Sequence, residues 1–457
     1  MKRNNNKLGE EKVGKLLLNL SLPATMAMMG SAIYNFADTV FIGKWVGDTA
    51  IGGLAITFPI QTLISAFSHL IGIGAASALS RYLGQGNQEK VNRIGGNSFL
   101  LLILLGLLIA VFGTIFVESI VLLFGATETI LPYAKDYITI IFLGNVFFSL
   151  ALSGNDLIRA EGNARIAMYS MFIGASMNII LDPIFIYFLN MGVKGAAIAT
   201  IIAQSISFIY VVAYFYSGKS SLQIRLCHLR PDLPLIKEMV AVGAAPFIRH
   251  VADSLVGVVI NNSLVLYGGD LALSTYGIIN RLLMFKAMPL FGVIQGMQPI
   301  IGFNCGAGKY QRVKEAISLS LIVNTVIGTV GFALAMLFPQ QIIGFFTSDQ
   351  TLLDMGQKAL KITISMVPVI GVHVVGTGLF QALGRAKISF GLALLRKTFL
   401  LIPLVLILPK IADLGLMGVW AAFPISDLLA TVITFQFIRR ENTRFNRLQS
   451  VEMLSIG

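Results

Sequence analysis

Long apolar runs recur along the whole chain, separated by short polar stretches. Each covers about 20 residues or more, enough for a helix to cross the hydrocarbon core of a bilayer. Of the 457 residues, 56% are hydrophobic and 12% are charged, whereas a soluble domain carries about 25% charged residues. The pattern predicts an all-α integral membrane protein with twelve transmembrane helices, at residues 16–41, 50–78, 94–117, 133–158, 164–189, 194–216, 236–265, 274–301, 314–338, 356–381, 388–411 and 415–438.

The net charge of +12 is distributed unevenly between the two sides of the predicted bundle. With the N-terminus in the cytoplasm, the large majority of the 34 lysines and arginines fall in cytoplasmic loops and termini. This asymmetry is the positive-inside rule, and it predicts a multi-pass protein of the plasma (inner) membrane with both termini cytoplasmic. The excess of lysine and arginine on the cytoplasmic side therefore indicates contact with anionic lipid of the bilayer and argues against a nucleic-acid partner.

The sequence contains an internal repeat at an offset of about 222 residues. LIRAEGNARI (157–166) matches LFQALGRAKI (379–388), and GQGNQEKV (84–91) matches GAGKYQRV (306–313). Six helices in each repeat is an even number, so both halves run in the same direction and are related by a pseudo-two-fold axis along the membrane normal. We expect an N-lobe at 1–216, a cytoplasmic linker at 217–238 and a C-lobe at 239–457, with a central site near the midplane.

Two aspartates lie inside segments that should be buried in lipid, Asp38 in the first and Asp182 in the fifth. An acid at such a depth costs roughly 2.5–3.5 kcal/mol and usually handles ions or protons. Asn178 lies one helical turn before Asp182, on the same face. Pro183 frees a backbone carbonyl beside them. This set of oxygens suits a proton or a small cation such as Na⁺.

The chain resembles the multidrug and toxic compound extrusion (MATE) family over nearly its full length. The resemblance rests on PATMAMMGSAIYNFADTVFIG in the first helix, LIRAEGNAR after the fourth, NIILDPIFI in the fifth, GVKGAAIATIIAQ in the sixth and LFQALGRAK after the tenth. It implies a secondary antiporter that exports organic, often cationic, compounds in exchange for H⁺ or Na⁺. The family's cation site matches Asp38, Asn178, Asp182 and Thr200. Some branches add acids in helices 7 and 10 of the C-lobe; because this chain has His373 in helix 10 and Asp253 one turn from Arg249 in helix 7, the resemblance does not carry a C-lobe ion site over to it.

Two further groups of residues are expected to serve transport. Pro23 and Pro183 interrupt the two helices that carry the aspartates, and we interpret them as hinges. Polar and methionine side chains on helices that could border a central cavity are candidate substrate contacts, because methionine adapts to varied ligands: Tyr34, Asn35, Met26, Gln204, Met284 and Met288. No cofactor and no oligomer are expected.

Several residues bear on alternatives to this interpretation. The cations Arg249, Arg281 and Lys286 keep open a flippase for lipid-linked precursors of the wider superfamily. A membrane enzyme is disfavoured because the sequence offers no metal cluster, no nucleophile–base set and no nucleotide motif; GAGKY (306–310) lacks the P-loop spacing. His69, His250 and His373 could carry protons, but a satisfied interior histidine is the commoner case. Asp253 is expected to pair with Arg249, one turn away.

Overall fold

The computed structural model describes residues 7–456, and in that part of the chain every regular element is helical. Ten helices are long and apolar enough to span a membrane, and one bent pair makes a further span. The longest helix, Leu233–Gly306, is divided by the non-helical residue Gly269. Counted as two spans, it brings the total to twelve, and the predicted fold class is confirmed.

The N-terminal six spans are α1 (Val13–Trp45), α2 (Asp48–Gly84), α3 (Gln88–Ile115), α4 (Leu131–Ala160), α5 (Ala164–Phe188) and α6 (Gly192–Tyr216). The C-terminal six are α7 (233–268), α8 (270–306), α9 (Tyr310–Leu337), α10 (Gln350–Thr363 with Val367–Ala382), α11 (Ala386–Ile411) and α12 (Gly415–Ile456). Short helices Val117–Leu123 and Pro339–Gly344 precede α4 and α10 at matching places in the two halves.

Two elements differ from the sequence prediction. Residues 266–273 were expected to be a loop, but α7 and α8 are separated only by Gly269, whose φ of 64° an L side chain rarely adopts. The tenth span was expected to be one helix, but it bends by 54° between Thr363 and Val367. Pro368, in the first turn after the bend, explains why the helix cannot run straight through.

The internal repeat is visible in the backbone. Gly86 and Gly308, at the turns before α3 and α9, have φ values of 70° and 74°. Gly162 and Gly384, at the turns before α5 and α11, have φ values of 86° and 70°. Each pair lies at the predicted offset of 222 and ends its helix in a left-handed conformation, a common helix terminator. The same turn chemistry therefore recurs in both halves.

The two lobes share one core at one side of the membrane and have separate cores at the other. We call the side where α1 begins and α2 ends the basic side. The hydrophobic core nearest the basic side contains residues of both halves, among them Leu16 and Leu79 of the N-terminal half and Ile300 and Phe380 of the C-terminal half. Towards the opposite side, one core contains only N-terminal residues and another only C-terminal ones. The lobes are therefore closed together at the basic side and separate at the opposite side.

The connection between the lobes is only partly the predicted linker, because α7 begins at Leu233, before residue 238. Residues 217–232 form an irregular segment with one short turn, Leu226–Leu229. This segment packs against α3, where the Asn97 side chain donates to the carbonyl oxygens of His228 and Arg230. The proposed lobe boundaries within it stay a prediction.

Candidate functional site

α5 brings together three of the predicted ion-site residues with α6. The Asn178 amide donates to Asp182 Oδ1 at 3.1 Å and to Thr200 Oγ1 of α6 at 3.3 Å. Asp182 is fully buried and Asn178 is 2% exposed. Their spacing of four residues places both side chains on the face of α5 that meets α6. Beyond Pro183 the helix widens into a π-turn, Ile184–Phe188, a feature often found beside functional sites.

The fourth predicted residue, Asp38, lies on α1, which packs along α5 with Gly30 against the ring of Phe172. Asp38 is buried, with 7% of the residue exposed. It lies within electrostatic range of Asp182 and of Tyr34. The structure therefore places the two intramembrane acids in one buried site of the N-terminal lobe.

Several oxygens of this site lack a hydrogen-bond partner. They are Asp38 Oδ1, Asn178 Oδ1 and Asp182 Oδ2, all fully buried. Buried polar atoms are nearly always paired, so these three acceptors are free to take a hydrogen-bond donor or a cation. Carboxylate, amide and hydroxyl oxygens fit a proton or Na⁺. Among the described residues no group of three or more His, Cys, Asp or Glu side chains is arranged to hold a metal ion.

A cavity of about 140 Å³ opens beside these residues, between α1, α2, α4 and α6. The predicted Tyr34, Asn35, Thr200 and Gln204 line it. Its other polar lining residues, which sequence reasoning missed, are Gln61, Thr62, Ser65 and Asn145. A sequence signal for the polar face of α2 exists, because Gln61, Ser65 and Ser68 recur at helical spacing inside an apolar run.

One more residue was missed, Tyr137 of α4. It is 3% exposed and lies within electrostatic range of both aspartates and beside Thr200. The site therefore draws on α1, α4, α5 and α6.

The three predicted methionines do not line this cavity. Met26 and Met284 are 44% and 54% exposed, and Met288 is half-buried. Their contact with substrate stays a prediction. The hinge residues are placed as expected in the helices of the site: Pro23 is buried inside α1, and Pro183 ends the regular part of α5.

The C-terminal lobe has ion pairs where the N-terminal lobe has unpaired acids. Lys397 Nζ of α11 lies 2.5 Å from Asp253 Oδ1 of α7, and Arg396 Nε lies 2.5 Å from Asp427 Oδ1 of α12. Asp253 was expected to pair with Arg249, and this was wrong, because the lysine reaches it from α11. His373 hydrogen-bonds Thr434 Oγ1 at 2.9 Å, and His69 hydrogen-bonds Asp156 at 3.3 Å.

Twelve spans in two lobes that close together at one side, with a buried polar site inside the N-terminal lobe, are the architecture of a membrane transporter. The MatE family model matches residues 23–184 and 250–407, and the chain belongs to the MatE family of transporters, which are not enzymes. The chain is 29% identical to the multidrug export protein MepA of Staphylococcus haemolyticus, over 93% of each chain. It is 28% identical to MepA of Staphylococcus aureus (strain NCTC 8325 / PS 47), over 92% of each.

Solved structures support the fold. A MATE crystal structure in the bent conformation superposes with a TM-score of 0.93 at 23% identity, covering 98% of this chain and 100% of that one. An outward-facing MATE transporter of the MOP superfamily gives a TM-score of 0.90 at 23% identity, covering 96% and 98%. At this level of identity the likeness concerns the fold alone.

Proposed function

We propose that this protein is a secondary antiporter that exports small organic compounds, cationic ones among them, in exchange for H⁺ or Na⁺. The observation that carries the proposal is the pair of buried acids, Asp38 and Asp182, with orphaned oxygens beside a polar cavity. The MepA relatives are multidrug export proteins, which supports the substrate class. We place the chain as a monomer in the plasma (inner) membrane, with the basic side and both termini cytoplasmic.

Ion coupling follows from the electrostatics of the site. Two carboxylates held together at low dielectric cannot both stay ionised without a cation, so the site takes up a proton or Na⁺. Uptake removes the net charge that would attract a cationic substrate. Because coupling between two ligands is reciprocal, the substrate weakens ion binding by the same factor. The same oxygens serve either ion, and we favour H⁺.

The test is efflux by variants of the two acids. In everted vesicles, we expect Asp38→Asn or Asp182→Asn to abolish uptake of a cationic dye driven by an imposed pH or Na⁺ gradient, with the protein still folded. Asp136→Asn is the matched control, because this carboxylate lies at the start of α4 and pairs with Lys194 at 3.4 Å outside the cavity. Near-normal transport by both site variants would refute the ion-site assignment.

We further propose that α1 bends at Pro23 as the site changes charge. Pro23 has no backbone N–H, so the carbonyl of Asn19, one turn earlier, accepts no hydrogen bond from it. The hydrogen-bond ladder of the helix is therefore already interrupted here, and bending costs little free energy. Pro23→Ala should keep ion binding and lose much of the coupled transport. A normal rate with a normal gradient dependence would show that α1 is a static support for Asp38.

The second candidate, a flippase for lipid-linked precursors, is favoured only by cations in the C-terminal lobe. Arg249 and Lys286 are half-buried at membrane depth.

A further inference from the structure

Two histidines, one from each lobe, face each other where the lobes meet. The rings of His69 of α2 and His250 of α7 are stacked, with an interplanar angle of 8° and centroids 6.1 Å apart. Phe67 and Phe247 form a second ring contact between the same two helices, with centroids 4.9 Å apart. Both contacts cross from one lobe to the other, so a change of charge on the histidines acts on the junction between the lobes.

The histidine pair lies at the edge of the closest approach between α2 and α7. A Cβ added at Gly243 of α7 would lie 2.6 Å from the carbonyl carbon of Leu70 of α2. α2 runs towards the basic side and α7 runs away from it. His69 and His250 therefore both lie on the far side of this crossing from the basic side, next to the space between the separate parts of the lobes.

His69 has a carboxylate partner within its own lobe. Its Nδ1 lies 3.3 Å from Asp156 Oδ2 of α4, and the other oxygen of Asp156 accepts from the guanidinium of Arg159. Asp156 and Arg159 are both buried. Because α2 and α4 belong to the same lobe, a movement of one lobe against the other leaves the contact between His69 and Asp156 in place.

The charges around His250 that come from its own lobe are Arg249 and Asp253 of α7 and Lys397 of α11. Lys397 pairs with Asp253 at 2.5 Å, which leaves Arg249 as a further positive charge beside the ring. The titratable group that faces His250 from the other lobe is His69. Of these interactions, the one between the two histidines changes when the lobes move apart.

Two protonated imidazoles in this stacked arrangement repel each other. At the effective dielectric constant of about 20 found in proteins the repulsion is substantial, and water around half-buried rings weakens it without removing it. Rings of which at least one is neutral stack without this repulsion. The second proton therefore binds more readily once the rings have moved apart, and by linkage a fall in pH favours the separated arrangement.

We propose that His69 and His250 form a pH-sensitive switch, which keeps the lobes together at the basic side while either ring is neutral and opens that side when both are protonated. The switch is distinct from the ion site of Asp38 and Asp182, because it lies between the lobes rather than inside one. The inference goes beyond the proposed antiport and does not depend on which ion the two acids take up.

Spin labels at Arg165 and Lys387 test the switch. Both residues are exposed, and they lie at matching positions of the repeat in the first turns of α5 and α11, on the basic side. With Cys227→Ser and Cys305→Ser, the distance between the labels in purified protein is measured by double electron–electron resonance from about pH 8 to about pH 5. We expect a longer distance to appear as the pH falls, its population rising about ten-fold.

Variants of the pair should change this response in opposite ways. His250→Gln should abolish the rise, because repulsion needs two charges. His69→Lys/His250→Lys should show the longer distance already at about pH 8, because lysine is charged there. His373→Gln is the matched control, since His373 hydrogen-bonds Thr434 within the C-terminal lobe and its loss should leave the response unchanged.

The same measurements in the Asp38→Asn/Asp182→Asn background separate the switch from the ion site. A rise that persists there and is lost on adding His250→Gln supports the switch. A distance that does not change with pH, a rise that survives in His250→Gln, or a rise that disappears in the double asparagine variant alone overturns it. Each of these three results leaves the export function standing, because that function is tested by dye uptake.

Discussion

Glu161, directly after α4, is a buried carboxyl group that hydrogen-bonds the start of the segment between the lobes, residues 217–232, to the N-terminal lobe. It is 2% exposed and accepts hydrogen bonds from Ser220 Oγ at 2.7 Å, Tyr214 Oη at 2.9 Å and the Leu222 amide at 3.3 Å. We expect Glu161→Ala to cost about 1–3 kcal/mol, because these buried donors lose their acceptor. The thermal unfolding midpoint in detergent should fall, and residues 217–222 should become sensitive to protease.

The same residue predicts a pH dependence. Burial raises the pKa of Glu161 above its ordinary value, in spite of the hydrogen bonds that it accepts. The folded protein therefore holds this proton to higher pH than the unfolded chain, and the associated stability is lost as pH rises through the raised pKa. The stability difference between wild type and Glu161→Ala should therefore narrow as the pH rises above the ordinary titration range of a glutamate. Glu128→Ala, an exposed glutamate, is the control; a constant difference would contradict the burial argument.

Single residues could be predicted from the sequence where their chemistry conflicts with lipid. Asp38 and Asp182 stand out because an acid in an apolar run needs a reason, and both are buried in the N-terminal lobe. Asn145 and Tyr137 could not be found in this way, since amides and tyrosines are common in membrane helices and only packing shows which of them face the cavity. Arg249 was paired wrongly because sequence spacing cannot show that Lys397 reaches Asp253 from another helix.

At the scale of elements, close packing of α2 on α7 depends on a glycine. A Cβ added at Gly243 would lie 3.0 Å from Leu70 Cα and 2.6 Å from Leu70 C, and backbone atoms cannot move aside as a side chain can. We expect Gly243→Ala to push the two helices apart at the lobe junction and to cost about 1–3 kcal/mol. The melting midpoint should fall by several degrees.

Gly257→Ala in the same helix is the control, because a Cβ there meets nothing within 4 Å. If both alanine variants melt at the wild-type temperature, close approach at Gly243 does not stabilise the junction.

The number and order of the helices could be predicted because each span must be apolar for about 20 residues. The ends of the helices could not be predicted in this way, because a helix continues past the hydrocarbon core as long as its backbone hydrogen bonds are satisfied. α7 and α8 therefore extend until only Gly269 separates them. The bend in α10 did have a sequence signal, because Pro368 falls in the interior of the predicted span 356–381, where a proline kinks or ends a helix.

For the whole molecule, the sequence could predict two lobes but not which side of the cleft is closed. A transporter sequence must stabilise more than one arrangement, so hydrophobic pattern alone does not choose between them. The structure shows the arrangement with a core shared by both lobes at the basic side. Polar contacts add to that closure. Arg81 of α2 donates to Glu238 of α7 at 2.5 Å and to the Ala382 carbonyl of α10 at 3.1 Å.

Alternating access requires these contacts to break, so weakening them should favour opening at the basic side. Cys305 reports this, because it is half-buried near the end of α8 and within electrostatic range of Arg81. With the exposed Cys227 replaced by serine, we expect Arg81→Gln to raise the rate at which an impermeant maleimide labels Cys305 from the basic side. Arg81→Glu/Glu238→Arg should restore part of the protection, since the swapped pair keeps the attraction across the lobes.

Arg93→Gln separates this effect from a general loss of positive charge. Arg93 lies on the same side and pairs with Glu89 at 2.8 Å and Asp232 at 3.3 Å, away from the contact between α2 and α10. Its loss should leave Cys305 labelling unchanged. If Arg81→Gln and Arg93→Gln label alike, the Arg81 contacts do not hold the lobes together, and closure at the basic side rests on the shared apolar core alone.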